Sequence, residues 1–144
     1  MFSKSCEYGI RATLYVAEQS QKGERVSLKS ISKATDTPEA FTAKILQQLV
    51  KKGIINSMKG PTGGFQINCD NLESIMLSQI VDAIDGDDVY RGCGLGLKKC
   101  DALNPCPAHD HFVKIREKLR NMLETTSIKI LTAGLNEGKY VLKR

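Results

Sequence analysis

The spacing of apolar residues divides the chain into a helical first part, a short β-hairpin and a helical last part beyond an irregular segment. Between Ser3 and Gln19, the residues Tyr8, Ile10, Leu14, Tyr15, Val16 and Ala17 recur close to helical spacing, which predicts a first helix ending near Gln21-Lys22-Gly23. Ser27 is a candidate N-cap for a short second helix whose small apolar face is Leu28 and Ile31. The turn Thr35-Asp36-Thr37-Pro38 starts a third helix, because proline at the first helical position after a capping residue is a start signal. Phe41, Ile45, Leu46, Leu49 and Val50 are its predicted buried face. Glu39, Thr42, Ala43, Lys44, Gln47, Gln48 and Lys51 are left largely outside, and Gly53 ends the helix. Ile54–Lys59 alternates as a strand, Gly60-Pro61-Thr62-Gly63-Gly64 is a turn, and Phe65-Gln66-Ile67 is the return strand.

Beyond a polar connector at Cys69–Ser74, the apolar run Ile75–Ile84 predicts a short helix that closes on Asp85-Gly86-Asp87-Asp88. The stretch VYRGCGLGLKKCDALNPCPAHDHF is too rich in Gly, Pro and Asn for regular structure. From about Ala108 a long amphipathic helix is expected, with Phe112, Ile115, Leu119 and Met122 at spacings of three, four and three. Thr125-Thr126-Ser127 interrupts it, and Ile128–Leu131 suggests a last short helix. The fold class is therefore mainly α with a small β-hairpin: a winged helix-turn-helix with a long dimerisation helix. The expected organisation is a winged domain over 1–68, a connecting helix over 69–90 and a cysteine-rich sensor loop over 91–110. The dimerisation and terminal helices then occupy 108–133, and 134–144 is a flexible tail.

Charge sharpens this division. Of the 144 residues, 26% are charged and the formal net charge is +5. Residues 1–67 carry ten Lys/Arg against five Asp/Glu, whereas 68–144 are balanced at eleven of each. All the excess positive charge lies with the helix and hairpin, where a phosphate backbone is a favoured partner. The helix fits the major groove of duplex DNA and the hairpin lies beside it. Thr37, Glu39, Thr42, Ala43, Lys44, Gln47, Gln48 and Lys51 are the candidate contacts from the helix. Lys59, Gly60, Pro61, Thr62, Gly63 and Gly64 are those from the hairpin. Gln47 and Gln48 can pair with adenine edges, and Lys59 can border the minor groove. A winged helix used only for protein contacts is the competing reading.

Five cysteines without a signal-peptide core argue against a secreted disulfide framework, and the expected location is the cytoplasm. Cys93-x6-Cys100-x5-Cys106-x2-His109 gathers three thiols and an imidazole in 17 residues. The gaps lack the paired knuckles of structural zinc sites, so a wide loop around an iron–sulfur cluster fits better; zinc or free thiols are the alternatives. No CxxC motif or nucleophile–base pairing supports an enzyme. The seam Phe112/Ile115/Leu119/Met122 needs cover, and pairing with the same helix of a second copy explains more than packing on its own domain, since dimers read palindromes.

EYGIRATLYVA, ISKATDTPEAFTAKILQQLVKKGIINSMKGPTGGFQI, IVDAIDGDD, the three-cysteine loop and the helix after it resemble the IscR/NsrR (Rrf) family of winged-helix regulators over nearly the whole chain. The resemblance implies a homodimeric bacterial transcription regulator with long helices crossing between subunits. It also implies a [2Fe–2S] cluster, favoured here over [4Fe–4S], and a response to cluster status, nitric oxide, redox state or iron. Cys93, Cys100 and Cys106 match the family's cysteine ligands. His109 stands where [2Fe–2S] members place a histidine, and Glu7 where nitric-oxide-sensing members have an acidic ligand from the partner's first helix. The departures are a first gap of six rather than five, Ala43-Lys44 in place of Glu-Gln in the third helix, and Lys59 in place of the wing arginine.

Overall fold

The computed structural model describes residues 1–144 and contains seven α-helices and one two-stranded antiparallel sheet. Helix α1 (Lys4–Gln21) starts where the Ser3 hydroxyl accepts the Cys6 N–H at 3.0 Å, satisfying one of the orphan donors of the first turn. Helix α2 (Leu28–Thr35) is capped in the same way by Ser27, which accepts the Ser30 N–H at 3.1 Å. Asp36 then takes a left-handed conformation (φ 50°), one of the few non-glycine residues that tolerate it, and turns the chain into α3 (Glu39–Lys51). Pro38 occupies the cap position of α3 and makes no side-chain cap bond.

The hairpin pairs β1 (Asn56–Met58) with β2 (Gly64–Gln66), placing Ser57 opposite Phe65. Val26 adds an unpredicted bridge on the other edge of β2: its N–H donates to the Phe65 carbonyl at 3.0 Å and its carbonyl accepts the Phe65 N–H at 2.8 Å. Two different close approaches explain the consecutive glycines, one to Val26 and one within the hairpin itself. A Cβ on Gly64 would meet the Val26 carbonyl oxygen at 2.7 Å, and one on Gly63 would meet that of Met58 at 2.1 Å.

One hydrophobic core joins both parts of the chain. Val16, Ile31, Leu46, Leu49 and Ile55 are buried with Leu72, Ile80, Val81, Leu123 and Ile128. After a 3₁₀ turn at Cys69–Asn71 come α4 (Leu77–Ile84) and α5 (Asp88–Arg91), a single turn that the sequence did not reveal. The loop 92–108 leads to α6 (His109–Thr125), and α7 (Ile128–Asn136) follows after a break at Thr126-Ser127. That break is laced to the segment ahead of α4: Leu77 N–H donates to the Thr126 carbonyl at 3.0 Å, and Ile128 N–H to that of Ile75 at 2.9 Å. Buried Leu123 anchors the end of α6, and α7 folds back on α1. Beyond α7, Tyr140 covers Gly134 of α7 and the Lys143 ammonium donates to the Lys33 carbonyl of α2 at 3.2 Å, so the last residues run from α7 to α2. No helix is long and apolar enough to cross a membrane.

Candidate nucleic-acid interface and metal centre

Helix α3 faces the core with Thr42, Ile45, Leu46 and Leu49, and leaves Glu39, Lys44, Gln47, Gln48 and Lys51 exposed. Two expected positions exchange places. Phe41, predicted inside, is 57% exposed, while Thr42, predicted outside, is buried. Positions 42, 46 and 49 share the inner stripe of a 3.6-residue helix, whereas 41 stacks with 44 and 48 on the outer one. Thr37 is buried as well. Its hydroxyl lies 2.7 Å from that of Thr42 and 3.0 Å from that of Thr35, and Thr42 Oγ1 also donates to the Pro38 carbonyl at 2.8 Å. Neither threonine presents its hydroxyl to a ligand: both close the turn between α2 and α3. Ala43 is half-buried.

On the wing, Lys59, Gly60, Pro61 and Thr62 are exposed at the tip, with Gly63 and Gly64 half-buried behind them. Arg25 carries no local signal and is a candidate that only the fold reveals. Its Nε donates to Gln66 Oε1 at 3.0 Å and its Nη1 lies 2.9 Å from Met58 Sδ, which fixes a guanidinium on the ribbon. Lys51 of α3 and Lys59 of the wing border one groove, lined also by Gln47, Val50, Ser57 and Phe65.

The cysteine loop gathers its donors as two pairs. Cys93 Sγ lies 3.9 Å from Cys106 Sγ, and Cys100 Sγ lies 3.5 Å from His109 Nδ1. His109 is the first residue of α6, and its N–H donates to the Cys106 carbonyl at 3.0 Å, so the helix start sets the position of both. All three thiols are free and half-buried. Backbone N–H groups of Leu95 and Leu97 hold the Cys93 thiol below its ordinary pKa, with smaller help from Cys106 and the Arg116 charge. Arg116, another residue missed from sequence, donates to Cys100 Sγ at 3.1 Å and to the Gly92 carbonyl. Lys98, Lys99 and Arg91 line the hollow beside Cys93 and Cys100. No three side chains converge on one ion-sized point, and Glu7 stands apart from the loop, its carboxylate on Lys4 at 3.0 Å.

The seam of α6 is open. Ile115 is 60% and Met122 41% exposed, Phe112 and Leu119 are half-buried, and Leu95 and Leu97 of the loop are also exposed. Leu123, one position beyond the seam, is the residue that α6 buries in its own chain.

A sequence model described as "Rrf2: Iron-dependent Transcriptional regulator" matches residues 2–134. A protein assigned as an HTH-type transcriptional regulator in Aquifex aeolicus is 29% identical over 133 residues, covering 91% of this chain and 90% of that one. The HTH-type transcriptional regulator IscR of Photorhabdus laumondii is 27% identical over 124 residues, covering 86% and 74%. The structure of CymR, the global cysteine regulator of B. subtilis, superposes with a TM-score of 0.76 at 20% identity, covering 92% and 96%. IscR of T. potens does so at 0.73 and 18%, covering 98% and 92%. At these identities the superpositions establish the winged-helix fold.

Proposed function

This chain belongs to the Rrf2 family of transcriptional regulators, and from that premise we propose that it is a homodimeric DNA-binding regulator whose operator affinity is set by an iron–sulfur cluster at Cys93, Cys100, Cys106 and His109. The observation that carries this reading is the pairing of donors, Cys93 with Cys106 and Cys100 with His109. A zinc site brings four ligands to one ion. Two separate pairs suit a larger centre in which each of two irons takes two protein ligands, with His109 replacing a fourth thiolate. The donor chemistry agrees: the Leu95 and Leu97 N–H groups favour the thiolate form of Cys93, and Lys98, Lys99 and Arg116 offset the negative charge of such a centre. Glu7 is a candidate ligand only from a partner's first helix. When bound, the cluster supplies a centre that changes charge by one electron and is dismantled by oxidants and nitric oxide.

The protein's part is mechanical. The loop runs from α5 to the first residue of α6, so ordering the loop fixes the base of the helix whose open seam pairs two copies. Two states of the loop then give two spacings of the paired α3 helices, and operator binding is linked to cluster binding by a coupling of about 1–3 kcal/mol, roughly 5–150-fold in affinity. On DNA, Lys44, Lys51 and Lys59 meet phosphates and Gln47 and Gln48 read base edges.

Anaerobic purification and reconstitution with iron and sulfide test this. Visible absorption bands are expected for the wild type, with weaker or absent bands and an altered operator affinity for Cys100→Ala. Equal operator affinity of the loaded and cluster-free wild type defeats the sensing role; zinc without visible bands defeats the cluster.

A further inference from the structure

We propose that Arg116 is the positioning residue of the cysteine centre: its guanidinium clamps both donor pairs to α6 and so carries the state of the loop into the dimer helix. The inference rests on the iron–sulfur reading above. Arg116 lies in α6 between the seam residues Ile115 and Leu119. One arm of its fork donates to the carbonyl of Gly92, the residue next to Cys93, and the other to Cys100 Sγ at 3.1 Å. Cys93 belongs to one donor pair and Cys100 to the other. A single side chain therefore spans both halves of the site, reaching acceptors 24 and 16 residues earlier in the chain.

The choice of arginine follows from this geometry. Two acceptors of different kinds, a carbonyl oxygen and a sulfur, need donors in a fixed planar fork, whereas lysine is a point charge on a flexible stem. Lys98 and Lys99 line the hollow beside Cys93 and Cys100 from the loop itself and cannot tie it to α6. Hydrogen bonds to ligating sulfurs and adjacent positive charge favour the more negative, reduced form of a cluster, so Arg116 raises its reduction potential. The same contact holds the loop on α6, and it slows loss of the centre.

The test compares full-length wild type, Arg116→Gln and Arg116→Lys, each reconstituted anaerobically. Midpoint potential is read by optical titration, and cluster loss by the decay of visible absorbance after adding an iron chelator. Arg116→Gln is expected to titrate at a lower potential and to retain its cluster roughly 10–100-fold less well. Arg116→Lys is expected to keep most of the potential and still lose the cluster faster, because the charge remains and the fork does not. A purely structural role would shift the thermal unfolding of the cluster-free forms and leave the potential unmoved. Wild-type potential and wild-type decay in a loaded Arg116→Gln overturn the inference and leave the proposed function standing. A wild type that takes up no iron overturns both. Should Arg116→Gln fail to fold, wild-type decay in Arg116→Lys overturns the inference.

Discussion

The ring of Phe112 lies against the backbone of Gly94: a Cβ built on Gly94 would sit 2.4 Å from the ring atoms. The first residue of the α6 seam is thus also the floor of the cysteine loop, one position from Cys93. Gly94→Ala should force the ring or the loop aside at a cost of about 1–3 kcal/mol. The expected result is faster cluster loss from the reconstituted protein, with operator affinity of the cluster-free form unchanged. Wild-type retention would mean that the loop and the seam are not coupled through this contact.

The seam and the core of α6 make opposite predictions. Ile115 is exposed, so Ile115→Glu should leave the unfolding of a single chain within about 0.5 kcal/mol of wild type. Sedimentation velocity should nevertheless move from the mass of two chains to that of one, and operator affinity should fall. Leu123→Ala, at a buried position, should cost about 2–5 kcal/mol of stability. A monomeric wild type, or a dimeric Ile115→Glu, would place the interface elsewhere.

Lys44 and Lys59 are exposed on α3 and at the wing. Replacing either by alanine should reduce the slope of log affinity against log salt by about 0.9, the value for one phosphate contact on duplex DNA. Phe41→Ala tests the outer stripe of α3 differently. Its exposure predicts near-wild-type stability with weakened operator binding and an unchanged salt slope, because an apolar side chain contacts bases and not phosphates. An unchanged affinity would leave Phe41 outside the interface.

The helices and the hairpin were legible because they carry local signals: the Ser27 cap, the Gly53 stop, the paired glycines of the wing. Spacing named the donor residues of the loop but not their arrangement as two pairs. What was missed depends on distant parts of the chain. Val26 joins the sheet only because α1 and α2 bring it to Phe65. Arg25 and Arg116 read as ordinary charges until their partners, 41 and 16 residues away, are in place. The exchange of Phe41 and Thr42 has another origin. Hydropathy alone assigns phenylalanine to the core, but the turn between α2 and α3 needs hydroxyls at Thr35, Thr37 and Thr42, and helical geometry then turns Phe41 outward. Glu7, carried over as a ligand by resemblance, meets only Lys4 within its chain, and its role waits on a partner.

Two groups outside the proposed site set the response to high pH. Burial, reinforced by Asp85, pushes the Cys6 thiol up from 9.0 to about 12. The hydrogen bond from Tyr90 to Asp82, 2.6 Å long, raises that phenol from 10.0 to about 12. In both, the folded value lies above the unfolded one, so the neutral form is favoured by folding. Their stabilisation is complete below the unfolded values, near pH 9 for Cys6 and 10 for Tyr90, and is lost as pH rises towards 12. Denaturant unfolding at pH 8, 9, 10 and 11 should therefore show falling stability. Cys6→Ala should flatten the first part of that fall and Tyr90→Phe the second. Because Cys6 is fully enclosed, it should also resist alkylation in the folded protein at pH 9, where exposed Cys69 reacts. Alkylation of Cys6 at the rate of Cys69 would show that the junction of α1 and α4, where Ser3 donates to Asp85, opens readily in solution. Flat stability from pH 8 to 11 would show that neither group titrates differently on unfolding.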